Sequence, residues 1–117
     1  MKPSPRLQRM NEQYRGKIIE PEKLKLAFTQ TYYREYPQII INQGVITLSA
    51  CEGSYENTVF MDFCIKVDSD NRIEEILEGS ARQLVDWTFN KSFTRERRPN
   101  YAYLESAIKK ALVKNQE

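Results

Sequence analysis

The sequence predicts a single small α+β domain in the order α-β-β-β-α-α, an antiparallel three-stranded meander packed by helices. Three observations carry this reading. Apolar residues recur at helical spacing in two separate stretches, strict alternation marks a strand over residues 58–67, and clusters of turn-forming residues divide the segments. At 117 residues the chain needs only one hydrophobic core.

Residues 1–17 hold two prolines, one glycine and several Gln, Asn and Arg residues with scant apolar periodicity. They read as a flexible basic arm before a domain over 18–117. Pro21 stands where a helix often begins, and Glu22 suits its first turn. Leu24, Ala27, Phe28, Thr31 and Tyr32 follow at helical spacing, giving a helix over 21–35 that Pro37 stops.

Residues 38–50 are rich in Ile and Val around Asn42-Gln43-Gly44, which is strand material with a bend or bulge at the glycine. After a loop, Val59, Met61, Phe63, Ile65 and Val67 alternate with more polar neighbours, the period of a strand with one buried face. Asp68-Ser69-Asp70-Asn71 is a turn cluster. Residues 72–77 then admit two readings, the first turn of a long helix capped by Asn71 or a third strand closed by a hairpin. Gly79 costs about 1 kcal/mol inside a helix and nothing at a break, which favours the hairpin. Both readings continue with a helix to Asn90, a polar basic loop over 91–100, and a last helix carrying Leu104, Ala107, Ile108, Ala111 and Leu112 on one face.

The totals exclude several chemistries. The chain has no histidine, so Ser-His-Asp, Cys-His and His-metal mechanisms are all closed to it. Cys51 and Cys64 are the only cysteines, and their spacing matches neither a CxxC redox pair nor a zinc set. Asp68 and Asp70 resemble the start of a magnesium site, but no third ligand accompanies them, so a turn is the better account. No cofactor or metal is expected. No apolar run approaches the length of a membrane span, and the basic N-terminal stretch has no apolar h-region after it, so the expected setting is the cytoplasm. A chain this small is also compatible with a phage or mobile-element origin.

The net charge of +2 conceals a polarity. Residues 1–25 and residues 91–117 each carry seven Lys or Arg against three acids, and the stretch between them carries four against ten. Such a field steers an acidic partner if the two ends meet in the fold.

These features point to a small non-enzymatic binding or regulatory protein acting through protein–protein contacts, and a homo-oligomer fits the same reading. The residues expected at a partner surface are Tyr33, Phe93, Arg95, Arg97, Arg98, Tyr101, Lys109 and Lys110. Tyr33 belongs to a tyrosine cluster at the end of the first helix, and exposed tyrosines make good interface anchors. The segment 87–103 interleaves aromatic residues with Lys and Arg, the combination that holds single-stranded nucleic acid. A nucleic-acid-binding protein using the basic arm and segment 87–114 is therefore the alternative.

Overall fold

A computed structural model of the chain describes residues 4–31, 38–52, 59–88 and 91–114. Three helices, α1 (Pro5–Tyr14), α2 (Pro21–Thr31) and α3 (Tyr101–Ala111), accompany an antiparallel six-stranded sheet. Its strands are β1 (Gln38–Asn42), β2 (Val45–Glu52), β3 (Val59–Val67), β4 (Ile73–Ile76), β5 (Ser80–Thr88) and β6 (Lys91–Arg97). The sheet runs β1-β2-β3-β5-β6, with β4 also paired to β3. The α+β class and the antiparallel sheet are as the sequence predicts, but the sheet has six strands instead of three, and β4 and β5 share the same edge of β3.

Residues 5–14 form a helix where the sequence reading places an arm. The Ser4 side chain caps it by accepting the Arg6 amide at 3.2 Å, and Pro5 occupies the first turn, where a missing N–H costs nothing. Leu7, Met10 and Tyr14, spaced along one face, are buried. Helix α2 buries Leu24, Ala27 and Phe28, and α3 buries Tyr101, Leu104, Ala107, Ile108 and Ala111. Asn100 caps α3 by accepting the Ala102 amide at 3.0 Å.

Residues 38–52 form a hairpin, not one bent strand. Gln43 and Gly44 both have positive φ, 38° and 84°, as a two-residue type I′ turn requires, and the turn is closed by the pair Asn42 and Val45. A Cβ at Gly44 would stand 3.0 Å from the Val67 carbonyl oxygen, so glycine is needed for space as well as for φ.

Strand β3 is the centre of the sheet. Met61, Phe63, Ile65 and Val67 point into the core, as the alternation predicts. The next turn is built by Asp68, whose Oδ1 accepts the amides of Asp70 and Arg72 at 2.8 and 2.9 Å, while Asn71 takes φ 62°. Residues 73–76 then return as a strand beside β3, the hairpin reading of this segment.

The expected helix after Gly79 is absent. Residues 80–88 continue along β3 as β5, pairing Ala81 with Met61 and Gln83 with Val59. The expected loop over 91–100 contains β6, which pairs with β5 from Thr88–Lys91 to Ala81–Arg97. Ala81, Leu84, Val85 and Thr88 fit a helical face, but the open edge of β3 offers β5 a ladder, and tertiary pairing overrides the local pattern. Among the described residues, Leu84–Thr88 pair only with β6, so this half of the hairpin is a two-stranded ribbon.

Candidate functional site

Three stretches of the sheet's outer edge, along β4, β6 and β1, differ in how they are finished. An open strand edge presents unpaired N–H and C=O groups that invite another chain, and folded proteins cover or charge such edges.

Along β4 the edge is covered by α1 and the loop after it. Asn11 Nδ2 donates to the Ile76 carbonyl at 2.9 Å and Asn11 Oδ1 accepts the Ile76 amide at 2.7 Å. The Gly16 amide donates to the Ile73 carbonyl and the Lys17 carbonyl accepts the Ile73 amide, each at 2.8 Å. Along β6 the edge is charged, with Arg95, Glu96 and Arg97 all exposed.

Among the described residues, strand β1 has neither protection. Its sequence, Gln-Ile-Ile-Ile-Asn, carries no charge and no proline. Ile40 is 59% exposed on the side of Thr47, and Ile41 is 49% exposed on the side of buried Ile46. In a two-residue hairpin the pair closing the turn is hydrogen-bonded, and pairs alternate from there. Asn42, Ile40 and Gln38 therefore direct their main-chain groups to β2, and those of Ile39 and Ile41 face outward. The Val67 amide bonded to the Gly44 carbonyl at 2.8 Å, on the opposite side of the β1–β2 hairpin, has the same phase.

The described residues expected at a partner surface come from β6, the segment before α3, and α3 itself. Arg95 and Arg97 are exposed neighbours on β6, and both donate to Gln83 Oε1 of β5, at 3.3 and 2.5 Å. Arg98 is exposed just before α3. Lys109 and Lys110 are exposed in the last turn of α3, about 12 to 14 Å along the helix axis from its start. Phe93 lies in β6 opposite Asp86, two residues from Arg95. Tyr101, by contrast, is a core residue: it is 5% exposed, its ring is 5.7 Å from that of Phe63, and its hydroxyl accepts the Gly79 amide at 2.9 Å. It presents no face to a partner. Tyr33 lies outside the described residues. The bare edge at Ile40 and Ile41 escaped the sequence reading, although an uncharged Ile run beside a hairpin turn was the available signal.

The two basic ends of the chain do meet, because α1 and α3 pack together. Arg6 Nη2 donates to Glu105 Oε1 at 2.8 Å and the Tyr14 hydroxyl donates to Glu105 Oε2 at 3.0 Å. Burial works to raise the Glu105 pKa, but the Arg6 and Tyr14 hydrogen bonds and the charges of Lys109 and Arg6 hold it below the usual value. Burial, with the Glu105 carboxylate beside it, pushes the Tyr14 phenol up. The group is a structural tie between helices. An open groove of about 440 Å³ between α1 and β4 is lined by Gln8, Glu12, Arg15, Glu75 and Glu78 among others, with charges of both signs.

Asp68 spends its carboxylate on the turn amides and lies 3.8 Å from Arg72. Among the described residues no three His, Cys, Asp or Glu side chains are gathered to hold a metal ion, and no helix is long and apolar enough to cross a membrane. Comparison with protein-family models, curated proteins and solved structures gives no match for this chain.

Proposed function

We propose that this is a small non-enzymatic binding or regulatory protein of the cytoplasm that works through protein–protein contacts, made by adding a strand to the open edge of β1. One observation supports this reading above the others. The edge of β4 is covered by Asn11 and the Gly16–Lys17 loop and that of β6 is charged, while among the described residues β1 is bare and carries the exposed Ile40 and Ile41. Main-chain bonds to an edge give affinity, and side chains at alternate positions give specificity.

A photo-crosslinking residue placed at the exposed Asn42 tests it in the producing cell. The expected result is a discrete covalent protein adduct that disappears when Ile40 is also changed to Lys. Irradiation that yields only uncrosslinked chain would sink the reading.

The exposed Arg95 and Arg97 on β6 favour a second reading, a surface for single-stranded nucleic acid that includes Phe93 in the same strand. Phosphate contacts weaken steeply with salt, and apolar strand addition does not. Titration of labelled single- and double-stranded oligonucleotides at low and physiological salt separates the two. Steeply salt-dependent binding lost in the R95A/R97A double variant would replace the first reading with the second.

A further inference from the structure

Resting on the reading of β1 as the contact edge, we infer that its occupant is a second copy of this chain, joined by antiparallel β1–β1 pairing about a two-fold axis midway between the two copies of Ile40. The outward main-chain groups belong to Ile39 and Ile41, which flank Ile40 symmetrically. An antiparallel neighbour centred on Ile40 sets Ile39 opposite Ile41 of the second copy and Ile41 opposite Ile39. Each of these is a hydrogen-bonded pair that exchanges both of its N–H···O bonds. Ile40 then faces its own equivalent in the closer, non-hydrogen-bonded position, and its exposed side chain is covered by an identical one. The edge is thus complementary to itself with no shift of register.

Charge points the same way. The strand Gln-Ile-Ile-Ile-Asn has no ionisable residue, so two copies meet without repulsion, and a charged partner strand would find nothing to pair with. The self-pairing register sets Gln38 opposite Asn42 of the second copy, neutral amide against neutral amide. The outer edge of β6 carries exposed Arg95, Glu96 and Arg97 and that of β4 is already bonded to α1 and its following loop, so neither of these edges competes with β1 for the second copy. Five residues make a short contact, which places the dimer in the weak, concentration-dependent class.

Sedimentation equilibrium of the purified chain between about 1 and about 300 µM reads the association directly. The expected result is a monomer–dimer equilibrium, with the dissociation constant raised more than about tenfold in Ile40→Lys, where two like charges would oppose each other. Circular dichroism of Ile40→Lys should match the parent chain, since the side chain is exposed. Amide exchange supplies a second measurement: the Ile39 and Ile41 amides should be protected at high concentration and lose that protection on dilution. A parent chain that stays monomeric throughout the range, or an Ile40→Lys chain that dimerises equally well, overturns the inference. Failure here is distinguishable from failure of the broader reading, because a crosslink from Asn42 to a different protein would keep β1 as a contact edge with another occupant. No crosslink at all would remove both.

Discussion

The side-chain amide of Asn11 forms with Ile76 both of the hydrogen bonds that a neighbouring strand would form, donating to its carbonyl at 2.9 Å and accepting its amide at 2.7 Å. A helix residue thereby finishes a strand edge. Replacing it with alanine leaves a partly buried N–H and C=O without their partner. Asn11→Ala should lower the unfolding free energy by about 1 to 3 kcal/mol. Guanidinium unfolding checks this, with a lower midpoint and an unchanged slope expected. An unchanged midpoint would show that water replaces the amide at no cost.

The same contact explains what the sequence could and could not tell. Strand β3 was legible because its alternation is set by one buried face, and α3 because Leu104, Ala107, Ile108 and Ala111 share one helical stripe. Helix α1 was hidden because polar residues outnumber Leu7, Met10 and Tyr14, and because its support comes from distant residues, Ile76 and Glu105. Strand β5 was misread for a related reason. A run containing Ala81, Leu84 and Val85 satisfies a helical pattern, and only pairing with Val59–Asp62 and β6 decides for a strand. The candidate edge at β1 depends on which strands lie outermost, a property of sheet order that no local pattern contains.

The Arg6–Glu105–Tyr14 group gives stability a pH signature at both ends. Glu105 has a folded pKa below its ordinary value of 4.5, so its stabilising effect is present above that value and is lost as pH falls through the folded one. Arg6 is 43% exposed, which screens the pair and limits the effect to about 1 kcal/mol. Glu105→Gln should therefore be less stable than the parent at pH 7, with the gap narrowing below pH 4.5. Tyr14 has a folded pKa above its ordinary 10.0, so its contribution is full below pH 10.0 and is lost as pH rises further. Tyr14→Phe should flatten the alkaline decline while costing about 1 kcal/mol at neutral pH. Thermal unfolding across pH 3 to 11 or so reads both limbs, and parallel profiles for parent and variants would contradict the assignment.

The register of β2 against β3 separates the two cysteines. Cys64 stands opposite Thr47 and Cys51 opposite Phe60, an offset of four residues along the strands. That is about 13 Å at the usual strand rise, where a disulfide needs Cα atoms within about 7 Å. Treatment of the folded chain with diamide should leave no intramolecular disulfide. Intact mass after alkylation in denaturant should show two modified thiols, and a mass lower by the two hydrogens of a closed disulfide, with no alkylation, would mean that the β2–β3 register is wrong.

Gly79 sits where the strand opposite β3 gains one residue. Ile76 pairs with Ile65 and Ser80 with Asp62, so Leu77, Glu78 and Gly79 together face Phe63 and Cys64, a bulge. The irregularity turns the Gly79 amide away from the ladder and onto the Tyr101 hydroxyl at 2.9 Å. It also lays the Gly79 backbone against Phe63: a Cβ there would come within 2.7 Å of the ring and 3.0 Å of the Asp62 carbonyl oxygen. The ring cannot retreat, because Phe63 is 1% exposed and held between Phe28 and Tyr101, with ring centroids 6.4 and 5.7 Å away. Gly79→Ala should cost about 1 to 3 kcal/mol through overpacking. Tyr101→Phe keeps the packing but strands the Gly79 amide, and should cost about 1 to 3 kcal/mol by that separate route. Guanidinium unfolding reads both costs, and amide exchange separates the two routes, since only Tyr101→Phe should also speed exchange of the Gly79 amide. If Gly79→Ala proves as stable as the parent, the close approach of the bulge to Phe63 is not what anchors β5 to the core.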